Sequence, residues 1–164
     1  EYFLSGLILA GEIFREVLAL IRPGLEGEME GHSSGTVLLG TVAGDIHDLG
    51  KSIVKVLLEC RGVEVMDLGV DVPAERFIEA AREFRPQVVG MSALLTAAIP
   101  QFKATIEAME AAGVRSGVKT VVGGGTVIDL EASVVSADHV ALDANEGVER
   151  MLEWLDAGAV EGGA

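Results

Sequence analysis

One histidine has neighbours that suit a metal ligand. His47 lies in the segment Gly44-Asp45-Ile46-His47-Asp48-Leu49-Gly50, between an apolar run and an amphipathic segment that begins near Lys51. A strand, a loop and a helix are the simplest interpretation. This order places His47 at the carboxyl end of a strand, where open α/β sheets bind their ligands. Asp45 can accept a hydrogen bond from one imidazole nitrogen, which leaves the other nitrogen as a neutral donor to a metal.

The rest of the chain narrows the kind of metal centre. A zinc site usually needs three or four protein ligands, but the chain has one cysteine and three histidines, with no CxxC and no HExxH. A cofactor that brings its own equatorial ligands needs only one ligand from the protein. Haem and corrin both meet this condition, and the haem-attachment signature CxxCH is absent.

Three motifs follow one another along the chain: Asp45-x-His47-x-x-Gly50, then Ser92-x-Leu94, then Gly123-Gly124. Together they resemble the cobalamin-binding signature of methionine synthase, the base-off mutases and the small corrinoid proteins of methyltransferase systems. The resemblance is strongest to the corrinoid proteins, because the segments 40–42, 67–73, 90–96 and 142–144 are also similar to theirs. It covers about residues 36–155 and implies cobalamin or a related cobamide, with its cobalt, as the cofactor.

The resemblance implies a role for the motif residues. His47 is expected to be the lower axial ligand of cobalt, in place of the cofactor's own benzimidazole (base-off, His-on), and Asp45 is expected to bond the other ring nitrogen. These two are the predicted catalytic residues. Ser92 is expected to bond the displaced base, Leu94 to pack near the nucleotide tail, and Thr96 to contact the nucleotide or a corrin amide. The other predicted cofactor contacts are Gly44, Ile46, Asp48, Leu49, Gly50, Gly123, Gly124, Gly125, Asp143 and Ala144.

The chain departs from its relatives at two positions. In methionine synthase a hydroxyl six residues after the Ser of SxL extends the relay from the aspartate, and corrinoid proteins often have Thr there. This chain has Ala98, so we expect water or Thr96 in that place, or no third member. Relatives also commonly carry an aromatic residue near position 140, where this chain has Val140.

The elements that must position these residues alternate along the chain. Strands are predicted at 36–42, 63–68, 87–92, 118–122 and 139–142, and helices at 50–61, 73–84, 98–112, 126–136 and 145–157. This alternation predicts an α/β fold with right-handed crossovers and a parallel sheet. The lengths suit a flavodoxin-like doubly wound five-stranded sheet, order 2-1-3-4-5.

Four regions are predicted along the chain. Residues 1–22 form one amphipathic helix, which by resemblance is the last helix of an N-terminal helical cap bundle, or otherwise an ordinary helix packed on the domain. A linker at 23–35, a cobalamin-binding Rossmann-like domain at 36–158 and a tail at 159–164 follow. The first residue is not Met, so we expect a fragment of a longer protein.

Composition excludes several classes of function. The net charge of −14 argues against binding to nucleic acid or anionic membranes. Neither a membrane span nor a signal peptide is predicted. A single cysteine, Cys60, fits a reducing cytoplasm and a structural role. We expect His139 to be half-buried or on the surface and His32 to be solvated.

The sequence therefore predicts a cytoplasmic corrinoid subunit that is not active alone. It would shuttle a methyl group between a donor-specific methyltransferase and an acceptor methyltransferase that uses tetrahydrofolate or coenzyme M. A reductive activator is a further candidate partner, and a homodimer is a candidate oligomeric state. The alternatives are a module of methionine synthase or of a mutase, a cobalamin-dependent sensor, and an FMN-binding domain. The 4% aromatic content weakens the FMN alternative.

Overall fold

A computed structural model describes residues 35–127 and 130–161, with six single positions near the N-terminus, all of them helical: Leu9, Glu12, Ile13, Glu16, Val17 and Leu20. The predicted N-terminal helix and the linker therefore lie largely outside the described residues. None of the helices in the described ranges combines the length and the apolar character that a membrane span requires.

Five parallel strands form one sheet in the order β2-β1-β3-β4-β5, which confirms the predicted flavodoxin-like topology. The strands are β1 Thr36–Thr41, β2 Glu64–Asp67, β3 Val88–Ser92, β4 Lys119–Gly123 and β5 His139–Ala141. The helices are α1 Leu49–Glu59, α2 Ala74–Phe84, α3 Ile99–Ala111 and α4 Ala144–Glu161, with 3-10 turns at Thr96–Ala98 and Ala132–Val134. The last helix thus extends beyond its predicted end at 157.

An aliphatic core covers each face of the sheet. Successive side chains of a strand point to opposite faces, so Val37 and Leu39 of β1 pack with Leu155 of α4, while Leu38 packs on the other face with Phe77 of α2. Burial on both faces is typical of parallel sheets with helical crossovers. It explains why the strands are almost continuously apolar instead of alternating with polar residues.

The prediction of a helix over 126–136 is wrong for the described residues of that segment. They form successive turns, with one short 3-10 turn at Ala132–Val134. The N–H groups of Val127, Leu130 and Val135 each donate to the carbonyl three residues earlier. Val127 and Val135 are fully buried. Because β-branched side chains lower helix propensity, these residues reach the core through tight turns and not along one helical face.

The topology brings two loops together at one point of the sheet. The chain leaves β1 through α1 toward β2 on one side, whereas β3 lies on the other side of β1. Doubly wound sheets bind ligands at such a reversal of strand order. Thr41 and Ser92, the last residues of β1 and β3, are direct partners in the sheet. The loops that follow them carry Asp45, His47 and Leu94.

Candidate functional site

The histidine and aspartate of the first motif are in direct contact. Nδ1 of His47 lies 2.6 Å from Oδ1 of Asp45, and the same oxygen accepts the backbone N–H of His47 at 2.9 Å. The Asp45 side chain is fully buried, whereas 47% of the His47 side chain is exposed. Because Nδ1 is occupied by the carboxylate, Nε2 is the ring nitrogen that remains to coordinate a metal.

The second carboxylate oxygen of Asp45 is held by the loop after β3. Oδ2 accepts the N–H groups of Leu94 at 2.6 Å and Leu95 at 2.8 Å. Desolvation by burial raises the pKa of Asp45, but the hydrogen bonds from Leu95, His47 and Leu94 outweigh it and hold the pKa well below its ordinary value. The carboxylate is therefore ionised at neutral pH, and both its oxygens are occupied by N–H donors.

A third loop fixes the position of the His47 loop. Asp71, which follows β2, accepts the N–H of Gly44 at 2.7 Å, and its own N–H donates to the carbonyl of Asp45 at 2.9 Å. Asp71 has a positive φ of 52°, a conformation that Asp tolerates better than most residues. Three strand ends thus contribute to the geometry of a single histidine.

A cavity of about 250 Å³ lies between the sheet and helices α1 and α4. Seven of the predicted site residues line it: Gly50, Ser92, Gly123, Gly124, Gly125, Asp143 and Ala144. The other lining residues are mostly apolar or glycine: Leu39, Lys51, Val54, Gly90, Met91, Val121, Ala141, Leu142, Gly147 and Met151. The glycine-rich segment at the end of β4 and the start of α4 therefore line the same slot as Ser92.

The remaining predicted residues do not line this slot. Ile46 and Leu94 expose apolar side chains on loops, and Leu49 does so at the start of α1. Asp48 precedes α1, and its carbonyl accepts the N–H of Ser52 at 2.8 Å. Thr96 is exposed and is not among the described residues that line the cavity.

Sequence reasoning missed three polar residues of the site. The motifs do not assign Thr41 to the site, although its hydroxyl contacts both Ser92 and the carbonyl of His47. They do not assign Asp71 to it either, although Asp71 accepts the N–H of Gly44. Lys51 lines the cavity with a side chain that is only 4% exposed, and its Nζ lies 2.5 Å from Oδ1 of Asp67. Lys51 could have been recognised because it is a charged residue in the first turn of α1, on the face of the helix that is otherwise apolar.

This donor set fits a cobamide better than a metal ion held by the protein alone. Within the described ranges, no group of three or more His, Cys, Asp or Glu side chains is arranged to hold a metal ion. One half-exposed imidazole, oriented by a buried carboxylate, can supply the single axial ligand that a corrin leaves to the protein. A Cβ built on Gly50 would meet no atom within 4 Å, so the slot is open at the start of α1.

Comparison with known proteins decides the family. The family model of the B12 binding domain matches residues 35–153. The chain belongs to the B12-binding family. The trimethylamine corrinoid protein of Methanosarcina barkeri is 40% identical over 157 residues, which is 95% of this chain and 72% of that protein. The cofactor of this B12-binding chain is therefore cobalamin or a related cobamide.

Two solved structures agree with this assignment. The monomethylamine corrinoid protein of Methanosarcina barkeri superimposes with a TM-score of 0.81 at 29% identity, over 93% of this chain and 72% of that one. The methanol:cobalamin methyltransferase complex of the same species gives a TM-score of 0.67 at 26% identity, over 99% of this chain and 59% of that one. The B12-binding chain is thus a corrinoid protein of the methyltransferase systems.

Gly50→Ala is expected to separate cofactor binding from stability. The added methyl meets no protein atom, and alanine is favoured over glycine in a helix, so the free energy of unfolding should rise by about 0.5 kcal/mol. The same methyl stands at the wall of the cavity and should weaken cobalamin binding. Urea unfolding and equilibrium dialysis with hydroxocobalamin measure the two effects. Unchanged affinity would show that the cofactor does not approach the start of α1.

Proposed function

We propose that the protein carries methyl groups on a cobamide bound base-off, with His47 as the lower axial ligand of cobalt. The observation that carries the proposal is the 2.6 Å contact between His47 Nδ1 and the buried Asp45 carboxylate. This contact leaves Nε2 as the donor and holds the half-exposed ring in one orientation.

The cavity would hold the nucleotide tail of the cofactor. It is lined by Ser92, whose hydroxyl would contact the displaced base, by Gly123, Gly124 and Gly125, and by the start of α4. The three glycines would leave this part of the wall without side chains, although a Cβ at Gly124 would first meet the carbonyl oxygen of Ala93 and one at Gly125 the side chain of Leu94. Asp143 and Ala144 line the same slot, so the seven cavity residues predicted from the motifs would act together on the tail.

The corrin ring would rest on the loops around His47. Ile46, Leu94 and Leu95 are 72%, 44% and 44% exposed, and Leu94 and Leu95 are also the residues whose N–H groups bond Asp45. The loop that supports the ring would therefore also hold the histidine. When bound, the cobamide would supply the chemistry of accepting and giving up a methyl group, and the protein would supply its position and the His47 ligand.

Two methyltransferases would be the partners. One related structure is a methanol:cobalamin methyltransferase complex, and other relatives are corrinoid proteins named for trimethylamine and dimethylamine. By analogy, a donor-specific methyltransferase would deliver the methyl group from a small methylated compound. A second enzyme, using tetrahydrofolate or coenzyme M, would remove it. The chain would then show no turnover without both partners.

The ultraviolet–visible spectrum of the protein loaded with hydroxocobalamin tests the proposal. The wild type should retain the cofactor and show histidine ligation, whereas His47→Ala should bind more weakly and show a water-ligated spectrum. His139→Gln is the matched control, because His139 lies in β5, three strands from β1. Glutamine can also retain a bond to Glu146, the partner of His139 at 3.0 Å.

Two outcomes would contradict base-off binding through His47. One is a wild-type spectrum in which cobalt keeps its benzimidazole ligand. The other is a His47→Ala spectrum identical to that of the wild type, while His139→Gln also leaves it unchanged. Either result would require a different ligand of cobalt, and the carrier proposal would lose its structural basis.

A further inference from the structure

Thr41 connects the cavity to the main chain of His47. It is the last residue of β1, is fully buried and lies beside Ser92 in the register of the sheet. Its Oγ1 is 3.0 Å from the carbonyl oxygen of His47 and 2.9 Å from Oγ of Ser92. Ser92 in turn lines the cavity. A single hydroxyl therefore contacts both a residue that lines the cavity and the loop that carries the histidine.

The number of hydrogens determines the direction of these bonds. A carbonyl oxygen only accepts, so Thr41 must donate its one O–H to His47. The contact between the two hydroxyls then requires Ser92 to donate to Thr41. Because Thr41 is fully buried, water does not offer it another partner. The O–H of Ser92 is consequently directed into the protein, and only its lone pairs face the cavity.

An acceptor atom in the cavity would be incompatible with this arrangement. A nitrogen lone pair at Ser92 requires the O–H of Ser92, which must then turn away from Thr41. If Thr41 continued to donate to His47, two oxygen lone pairs would face each other at 2.9 Å. The conflict disappears when Thr41 turns its own O–H to Ser92 and leaves the carbonyl of His47.

We propose that Thr41 is a positioning residue that couples occupation of the tail cavity to the main chain of His47. Without an acceptor atom at Ser92, Thr41 donates to the His47 carbonyl. When the acceptor nitrogen of the displaced base binds Ser92, the Thr41 hydroxyl switches to Ser92 and releases that carbonyl. No bond other than hydrogen bonds changes, and no proton leaves either hydroxyl. This inference rests on the proposed base-off function, because it needs a base at Ser92.

The main chain provides a stable frame for such a switch. The N–H of Val42 donates to the carbonyl of Ser92 at 3.1 Å, and the main chain of Thr41 donates to Gly69 at 3.0 Å and accepts from Val72 at 2.9 Å. The two hydroxyls can therefore rotate without any movement of β1 or β3. The His47 loop also keeps its bonds to Asp45 and Asp71, so release of the carbonyl adjusts the loop without freeing it.

The carbonyl of His47 can be observed alone. The three histidines precede Ser33, Asp48 and Val140, so His47 is the one histidine that is followed by aspartate. Protein labelled with carbonyl-¹³C histidine and ¹⁵N aspartate gives a single carbonyl-to-amide correlation by NMR, which belongs to His47. The protein is loaded either with hydroxocobalamin or with aquocobinamide, which has the corrin ring but no nucleotide tail.

We expect the His47 carbonyl carbon to resonate at lower frequency with cobalamin than with cobinamide, because only cobalamin removes its hydrogen bond to Thr41. Thr41→Val, which keeps the shape of the side chain without the hydroxyl, should abolish the difference between the two cofactors. Thr41→Ser should preserve it. Ser92→Ala, which keeps Thr41, should also abolish it and covers the case in which Thr41→Val does not fold.

The visible spectrum of each sample separates this inference from the proposed function. A wild-type sample without histidine ligation would overturn both. Histidine ligation with the same His47 carbonyl shift for both cofactors would overturn the role of Thr41 alone. A difference that persists in Thr41→Val, or in Ser92→Ala, would do the same.

Discussion

Asp45→Ala is expected to lower the free energy of unfolding of the cofactor-free protein by about 3 kcal/mol or more. The substitution leaves the N–H groups of His47, Leu94 and Leu95 without the acceptor that each has now. A donor that is buried without a partner costs about 1–3 kcal/mol, and the Asp45 side chain is fully buried. Urea unfolding at neutral pH measures the effect, and an unchanged midpoint would contradict it.

Asp45→Asn is the matched variant that separates folding from ligand orientation. The amide oxygen can still accept from Leu94 and Leu95, so only the N–H of His47 loses its acceptor, because it then faces an NH₂ group. The free energy of unfolding should therefore fall by less than in Asp45→Ala, by about 1–3 kcal/mol. The same NH₂ group would face Nδ1 of His47, which must then accept. The ring proton moves to Nε2, the nitrogen that would coordinate cobalt.

The asparagine variant should therefore fold but lose histidine ligation. Nitrogen-15 NMR of the imidazole identifies the tautomer in the cofactor-free protein, and the spectrum with hydroxocobalamin reports the ligation. If Asp45→Asn kept its ring proton on Nδ1 and bound cobalamin like the wild type, the carboxylate would not be what orients the histidine.

The main features of this site could be predicted because they are local in sequence. Asp45 and His47 are two residues apart, and a turn brings their side chains together without help from distant elements. The sheet order could also be predicted, since alternating apolar strands and helices leave few parallel topologies. Gly123, Gly124 and Gly125 could be assigned to one wall of the cavity because they are consecutive in sequence.

Contacts between distant residues carried no comparable signal. Thr41 meets Ser92, and Asp71 meets Gly44, only through the register of the sheet and the positions of three loops. The backbone N–H groups of Leu94 and Leu95 are donors whatever the side chain, so no residue type marks them. The sequence could not show which groups bond Asp45 when Ala98 replaces the relay hydroxyl. In the structure both carboxylate oxygens of Asp45 accept from N–H groups.

Gly124→Ala is expected to be the most damaging single-methyl change in the loop after β4. A Cβ at this position would lie 1.9 Å from the carbonyl oxygen of Ala93, and Gly124 has a φ of +130°, which side chains rarely adopt. Since the obstacle is backbone, relief requires movement of the loop after β3. The free energy of unfolding should fall by about 3 kcal/mol or more.

Movement of the loop after β3 should also disturb the orientation of His47. Ala93 directly precedes Leu94, whose N–H bonds Asp45 at 2.6 Å, so displacement of Ala93 disturbs the carboxylate that holds His47. Any Gly124→Ala protein that still folds should bind cobalamin at least about tenfold more weakly, a loss of about 1.4 kcal/mol. Equilibrium dialysis measures the affinity, and urea unfolding measures the stability of the same sample.

Two neighbouring glycines provide the controls for Gly124. A Cβ at Gly123 meets only ordinary contacts, the nearest at 3.5 Å, and one at Gly125 meets the movable end of Leu94. Both alanine variants should therefore keep most of the stability of the wild type, although each adds a methyl to the cavity wall. If Gly124→Ala were as stable as Gly123→Ala, the close approach of the two loops would not be what requires glycine there. The loop after β3 would then hold its hydrogen bonds to Asp45 without close packing against Gly124.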